Sequence, residues 1–175
     1  GTGEFHALGA DEFGKIVRTA TDVVAGRVPV YAGAGGSVAQ AKEFVSEKPE
    51  GITMLIGDVT DDVSVAKLVD EVISDAGRID LLVNNAGIGL LGGAEESSIA
   101  QAQVLFDVNL FGVLRMTNAV LPTMRRQASG RIINMSSVMG LIPAPYLALY
   151  SSTKHALEGY SESLDHELRA FGIRV

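Results

Sequence analysis

Tyr150 and Lys154 stand four residues apart in "YSSTK", a spacing that puts both on one face wherever the segment is helical. A phenol titrates near ~10, and an ammonium one turn away favours phenolate, so such a pair can act as a proton acid or base near neutral pH. Further polar residues offer compatible chemistry: Ser137, upstream in "NMSSV"; Asn109 in "VNLFG"; and "NNAG" at 84–87. Ser137 and the "NNAG" run follow apolar stretches that read as strands, and the carboxyl ends of parallel strands are where such sheets place ligands. Each residue also has a plainer reading. Asn84 and Asn85 can tie neighbouring strands, Asp58, Asp61 and Asp62 can cap a helix, Ser136 and Ser137 can satisfy loop backbone, and Tyr150 can pack on a sheet. Ser151 and Lys154 also spell S-x-x-K, but the S-D-N and K-T-G elements of serine acyl transfer are missing.

The surrounding elements alternate regularly. Phe13, Ile16, Val17, Ala20, Val23 and Val24 recur at helical spacing and end at Gly26. "RVPVYAG" reads as a strand and "SVAQAKEFV" as a helix in which Ser37 and Gln40 can form a capping box. "ITMLIGDV" is a strand, "SVAKLVDEVISDAG" a helix stopped by Gly77, and "IDLLVNNAG" a strand. A long helix is predicted from about Ser98 to Pro122, then the strand "GRIINMSS", a loop with Pro143 and Pro145, a helix from Tyr150 to about Ala170, and the start of a strand in "GIRV". Unbroken apolar strands joined by helices specify an α/β fold with parallel pairing and right-handed crossovers. The expected architecture is a Rossmann-like three-layer α-β-α sandwich around a doubly wound sheet, in one domain over 1–175.

Composition narrows the function. With 47% hydrophobic residues the chain can fill a core, and a net charge of -7 argues against nucleic acid or an anionic membrane as partner. There is no cysteine, and three scattered histidines make no metal set. No apolar run approaches the ~18 residues of a membrane span and no leader pattern opens the chain, so a soluble, cytoplasmic protein is expected. "NMS" at 134–136 spells a glycosylation triplet but falls on a predicted buried strand.

From about Gly51 to Val175 the sequence resembles the short-chain dehydrogenases/reductases, through "GDVTD", "GRIDLLVNNAGIG", "FDVNLFGVLRMTNAVLP", "GRIINMSSVMG" and "YSSTKHALEGYSESLDHELRAFGIRV". That resemblance implies that Tyr150 exchanges the substrate proton, Lys154 assists it and holds the nicotinamide ribose, Ser137 polarises the carbonyl and Asn109 supports a proton relay. It further implies that Asp58 and Val59 meet adenine, and that Asn85, Ala86 and Gly87 line the trough of NAD or NADP. The family's habit of pairing two long helices suggests a homodimer through Leu110, Leu114, Leu157 and Leu164.

The opening "GTGEFHALG" approximates a phosphate-binding turn, with Gly3 and Gly9 as its glycines. Ala7 replaces the middle glycine, and Glu4, Asp11 and Glu12 set negative charge where phosphate would dock. Residues 1–50 also resemble the dihydrodipicolinate synthase family of (β/α)8 barrels, through "GTGEF", "DEFGKIVRTATDVVAGR" and "VPVYAGAGGSVAQAKEF". The expectation drawn from this is a chimera, a barrel fragment joined near Pro49 to Gly51 onto a dehydrogenase fragment by engineering or recombination. Such a scaffold would keep the catalytic residues with weak or no activity. The alternative is an NAD(P)-dependent oxidoreductase acting on a small alcohol or carbonyl.

Overall fold

The computed structural model describes Thr19, Val30–Gly33 and residues 52–175. The helices expected around 13–26 and 37–45 and the glycine turn with Gly3 and Gly9 lie outside those residues. Two compact units are present, one within Gly3–Gly57 and one over Asp58–Val175.

In the first unit, β1 (Val30–Gly33) pairs in parallel with β2 (Ile52–Leu55), Val30 opposite Ile52 and Gly33 opposite Leu55. Ile52 and Met54 alternate into the interior, the two-residue period that a strand imposes on its side chains.

The second unit opens with α1 (Asp62–Ala76), whose ends are set by local chemistry. The Asp61 carboxylate accepts from the Val63 amide at the start, and Gly77, at φ 71, closes the helix in the left-handed region. β3 (Leu81–Asn84), β4 (Gly130–Asn134) and β5 (Ile173–Arg174) form an all-parallel sheet in that order. Leu82 stands opposite Ile132, and Gly130 opposite Ile173.

Between β3 and β4 runs a continuous helical stretch in three parts: α2 (Ile99–Phe106), a π-helical turn (Asp107–Phe111) and α3 (Gly112–Gln127). The predicted end at Pro122 is corrected, since α3 continues to Gln127. Pro122 deprives Asn118 of its helical partner, but Asn118 is exposed, so water can serve its carbonyl. By length and apolar composition alone, Ile99–Gln127 is also long enough to cross a membrane, contrary to the sequence estimate. Its apolar face has a place in the core: Val120 and Met124 pack with Val69 of α1, Ile132 and Ile173. α4 (Ala148–Leu168) adds Leu164 and Leu168 to the same cluster.

All of these helical contributions meet the face that carries Leu82 and Ile132. The opposite side, with Leu81, Val83 and Ile133, is exposed. The sheet thus presents the carboxyl ends of β3 and β4 beside the start of α4, the arrangement the site requires.

Candidate active site

α4 brings Tyr150 and Lys154 together. Both are buried, at 3% and 6% exposure, and the Lys154 Nζ lies 5.8 Å from the Tyr150 ring centroid. The ammonium donates to the Met135 carbonyl at 2.7 Å, so the residue just past β4 anchors the lysine. Burial pulls the Lys154 pKa below its ordinary value, opposed by the nearby Glu158 carboxylate.

Ser137 follows two residues after Met135 and caps a 3₁₀ turn (Val138–Gly140). Its Oγ accepts from the Met139 amide at 3.2 Å, which leaves the hydroxyl hydrogen available to an incoming oxygen. The turn packs tightly on α4 because Gly140 has no side chain. A Cβ there would stand 2.8 Å from the Ser136 Oγ and 3.1 Å from the Lys154 carbonyl.

Asn109 sits in the π turn at 1% exposure, and its side-chain amide makes three hydrogen bonds. Oδ1 accepts from the Ile88 amide at 2.8 Å, and Nδ2 donates to the Ile88 carbonyl at 2.9 Å and to the Thr153 Oγ1 at 3.2 Å. The Thr153 hydroxyl in turn donates to the Tyr150 carbonyl at 2.8 Å. Asn109 therefore fastens the strand-end loop after β3 to the helix of Tyr150 and Lys154. Single π turns are frequent at functional sites, where the extra residue re-aims a side chain.

The remaining sequence candidates divide clearly. Asn84 is buried and donates to the Asn134 Oδ1 at 2.9 Å and the Thr117 Oγ1 at 3.3 Å, the strand-tying role in its plainer form. Asn85 and Ala86 are exposed at the strand end. Gly87 lies beside the site, where a Cβ would come 3.4 Å from the Asn109 Oδ1 and 4.0 Å from the Lys154 Nζ. Asp58 accepts from the amide and hydroxyl of Thr60, at 2.8 and 2.7 Å, and these bonds hold its carboxyl below the usual range. Val59 packs on α3, where a Cβ on Gly112 would meet its Cγ2 at 2.9 Å. Arg115 fixes this loop through the Val59 carbonyl, Asp62 and Asp107. Of the proposed dimer residues, Leu157 and Leu164 are buried within the unit, while Leu110 and Leu114 are half-buried.

A family model for short chain dehydrogenases matches residues 11–175. The chain belongs to the short-chain dehydrogenase family. It is 44% identical over 130 residues to the 3-ketodihydrosphingosine reductase of Bacteroides thetaiotaomicron, a match covering 74% of this chain and 48% of that protein. The chain thus spans about half the length of that curated relative. Among solved structures it is similar to a short-chain dehydrogenase from Streptomyces avermitilis, with TM-score 0.80 and 35% identity over 93% of this chain and 60% of that one. It is also similar to ElxO with NADP bound, with TM-score 0.80 and 28% identity over 90% of this chain and 65% of that one. These neighbours agree with an α/β fold built on a parallel sheet.

Two expectations fall with these findings. The family match runs through residues 11–50, the segment read as a barrel fragment, and no sign of a dihydrodipicolinate synthase piece remains. The engineered or recombined scaffold with inherited residues is likewise overturned, because natural reductases and dehydrogenases align with most of the chain. The misreading has a physical source. Barrel units and Rossmann half-units share the same local pattern of apolar strand, glycine turn and amphipathic helix.

Sequence reasoning missed the Met135 carbonyl, Thr153 and Gly140. A carbonyl leaves no trace in residue identity. Thr153 lay inside "YSSTK" and was the more findable.

Proposed function

We propose that this chain carries the catalytic core of an NAD(P)-dependent oxidoreductase that interconverts a carbonyl and an alcohol. The observation that carries this reading is the buried Tyr150–Lys154 pair on α4, with Lys154 anchored to the carbonyl that precedes the Ser136–Ser137 turn. Membership of the family and the similarity to a structure holding NADP support it.

The residues around Gly87 fit a nicotinamide cofactor. The space its missing side chain leaves is bordered by the Asn109 Oδ1 and the Lys154 Nζ. Among the described residues the ammonium has one recorded hydrogen-bond acceptor, the Met135 carbonyl, so two of its three donors remain for ribose hydroxyls. Asn85, Ala86 and Gly87 would line the trough, and Asp58 and Val59 would meet the adenine end. A bound nicotinamide supplies or accepts the hydride. During reduction Tyr150 gives its hydroxyl proton to the substrate oxygen while Ser137 donates a hydrogen bond to it, and for oxidation Tyr150 takes the proton back while Ser137 keeps the same hydrogen bond to that oxygen. Lys154 sets positive charge beside the phenol. Asn109 acts first as a positioning residue, holding Ile88 and Thr153 in place.

The test pairs NADPH and NADH titrations, followed by nucleotide fluorescence, with turnover of wild type and Tyr150→Phe. Binding is expected in both proteins, with turnover lower by about 10²–10⁴-fold in the Phe variant. Failure of both nucleotides to bind at millimolar concentration refutes the reading, as does unchanged turnover in Tyr150→Phe.

A further inference from the structure

The Asp58 carboxylate is oriented by the backbone that follows it. Its Oδ1 accepts from the Thr60 amide at 2.8 Å and the Thr60 hydroxyl at 2.7 Å, while among the described residues its Oδ2 has no recorded hydrogen bond. The Thr60 amide belongs to the same planar peptide group as the Val59 carbonyl. That carbonyl accepts from the Arg115 guanidinium at 3.3 Å, and the guanidinium also bridges to Asp107, at the head of the π turn, and to Asp62, each at 2.8 Å. A single peptide group therefore joins Arg115 to Asp58: α3 holds its oxygen, and its hydrogen points at Oδ1.

Other recorded hydrogen bonds of this loop are local, the Asp58 amide donating to the Ser64 Oγ and the Val63 amide to Asp61. Arg115, 56 residues from Val59, supplies a long-range polar tie. Val59 adds a steric one against Gly112, where a Cβ would come 2.9 Å from its Cγ2. The Asp62 side chain is 85% exposed and its ion pair contributes little, whereas the Arg115 side chain is 24% exposed, so its bonds to Asp107 and Val59 hold the loop. The bonds from Thr60 keep the Asp58 carboxyl below the usual range, and an ionised carboxylate only accepts hydrogen bonds.

Resting on the oxidoreductase reading, in which Asp58 meets the adenine end, we propose that Arg115 is a positioning residue for the cofactor. By holding the Val59–Thr60 peptide it aims the Asp58 Oδ2 at the exocyclic amine of adenine. The carboxylate accepts from that amine and repels a carbonyl oxygen in its place. Without Arg115 the peptide can tilt, the carboxylate turns with it, and the site loses discrimination at the base.

The experiment is calorimetric titration of NADPH and NADH, each beside its hypoxanthine analogue, in which a carbonyl oxygen replaces the adenine amine. The proteins are wild type, Arg115→Met, Arg115→Lys and an Arg78→Met control, whose guanidinium pairs with Asp80 next along the chain but one. Asp58 is exposed, so the lower end of the range for a hydrogen bond to a charged group applies, and wild type prefers the adenine form about tenfold. The preference falls to ~2-fold or less in Arg115→Met. It falls by a smaller factor in Arg115→Lys, which keeps the charge but not the planar fork, and is unchanged in Arg78→Met. A structural loss shared by the whole site weakens both nucleotides alike and leaves the ratio unmoved. An equal preference in wild type and Arg115→Met, or a wild-type preference near one, overturns the inference and leaves the oxidoreductase reading standing. Should Arg115→Met fail to fold by circular dichroism, Arg115→Lys decides, and a preference equal to wild type there overturns the inference. Failure of every nucleotide to bind wild type refutes the oxidoreductase reading itself and the inference with it.

Discussion

Replacing Asn109 with alanine tests whether the π turn exists to hold the site together. The side chain is 1% exposed and makes three hydrogen bonds, two to the Ile88 backbone and one to Thr153. A neutral hydrogen bond contributes about 0.5–1.5 kcal/mol net, which puts the gross loss near ~3 kcal/mol. Two features reduce it. The Thr153 hydroxyl keeps its bond to the Tyr150 carbonyl, and the vacated space has polar walls that a water can bridge. The expected net loss is therefore ~2 kcal/mol, with the Ile88 groups carrying most of it.

Urea unfolding followed by circular dichroism measures this as a lower midpoint at unchanged slope. Hydrogen exchange should show faster opening at the Ile88 amide, and turnover should fall because the loop and α4 lose their shared fastening. A double-mutant cycle with Thr153→Val locates the effect, with an expected coupling of about 0.5–1.5 kcal/mol. A stability loss below ~0.5 kcal/mol, or coupling indistinguishable from zero, would falsify the claim that Asn109 ties the loop after β3 to α4.

Three other outcomes follow from the geometry. Gly140→Ala forces a methyl toward the Ser136 Oγ and the Lys154 carbonyl, so about 1–3 kcal/mol of stability should be lost with kcat, read by denaturation and kinetics. Gly172→Ala puts a side chain at φ 71 against the Ala128 carbonyl, and thermal melts should show a loss above ~1 kcal/mol. The Asp165 carboxylate accepts from Arg174, the Val175 amide and Arg169, which hold its pKa well below the ordinary range. Its folded pKa lies below the unfolded one, so its contribution is complete above pH ~4 and drains away as pH falls further. Urea titrations between pH 6 and pH 2 should show a shallower decline in Asp165→Asn, and identical declines would sink this account.

The sequence carried the helix ends best where a side chain closes the turn. Asp61 and Gly77 bound α1 because one supplies an oxygen for a free amide and the other takes the left-handed angle. The break in the long helix was not legible. A π turn adds one residue without changing residue types, and the apolar pattern of 99–127 continues through it. Pro122 misled for the opposite reason. Its effect depends on whether the freed carbonyl can reach water, which is a property of burial and not of the local sequence.

The site divides along the same line between side chain and backbone. Spacing alone placed Tyr150 and Lys154 on one face, and the helix delivers that. What fixes Lys154 is a carbonyl on Met135, and what occupies Asn109 is the backbone of Ile88, so neither partner has a residue type that could have announced it. The resemblance pointed to a proton relay for Asn109, whereas the hydrogen bonds its side chain makes join the loop of Ile88 to the helix through Thr153, a tie that the residue types do not announce. The barrel reading of residues 1–50 failed for a related reason. A strand, a glycine turn and a helix are common to both folds, so only a comparison long enough to include the strands that follow could decide between them, and the match over 11–175 did so.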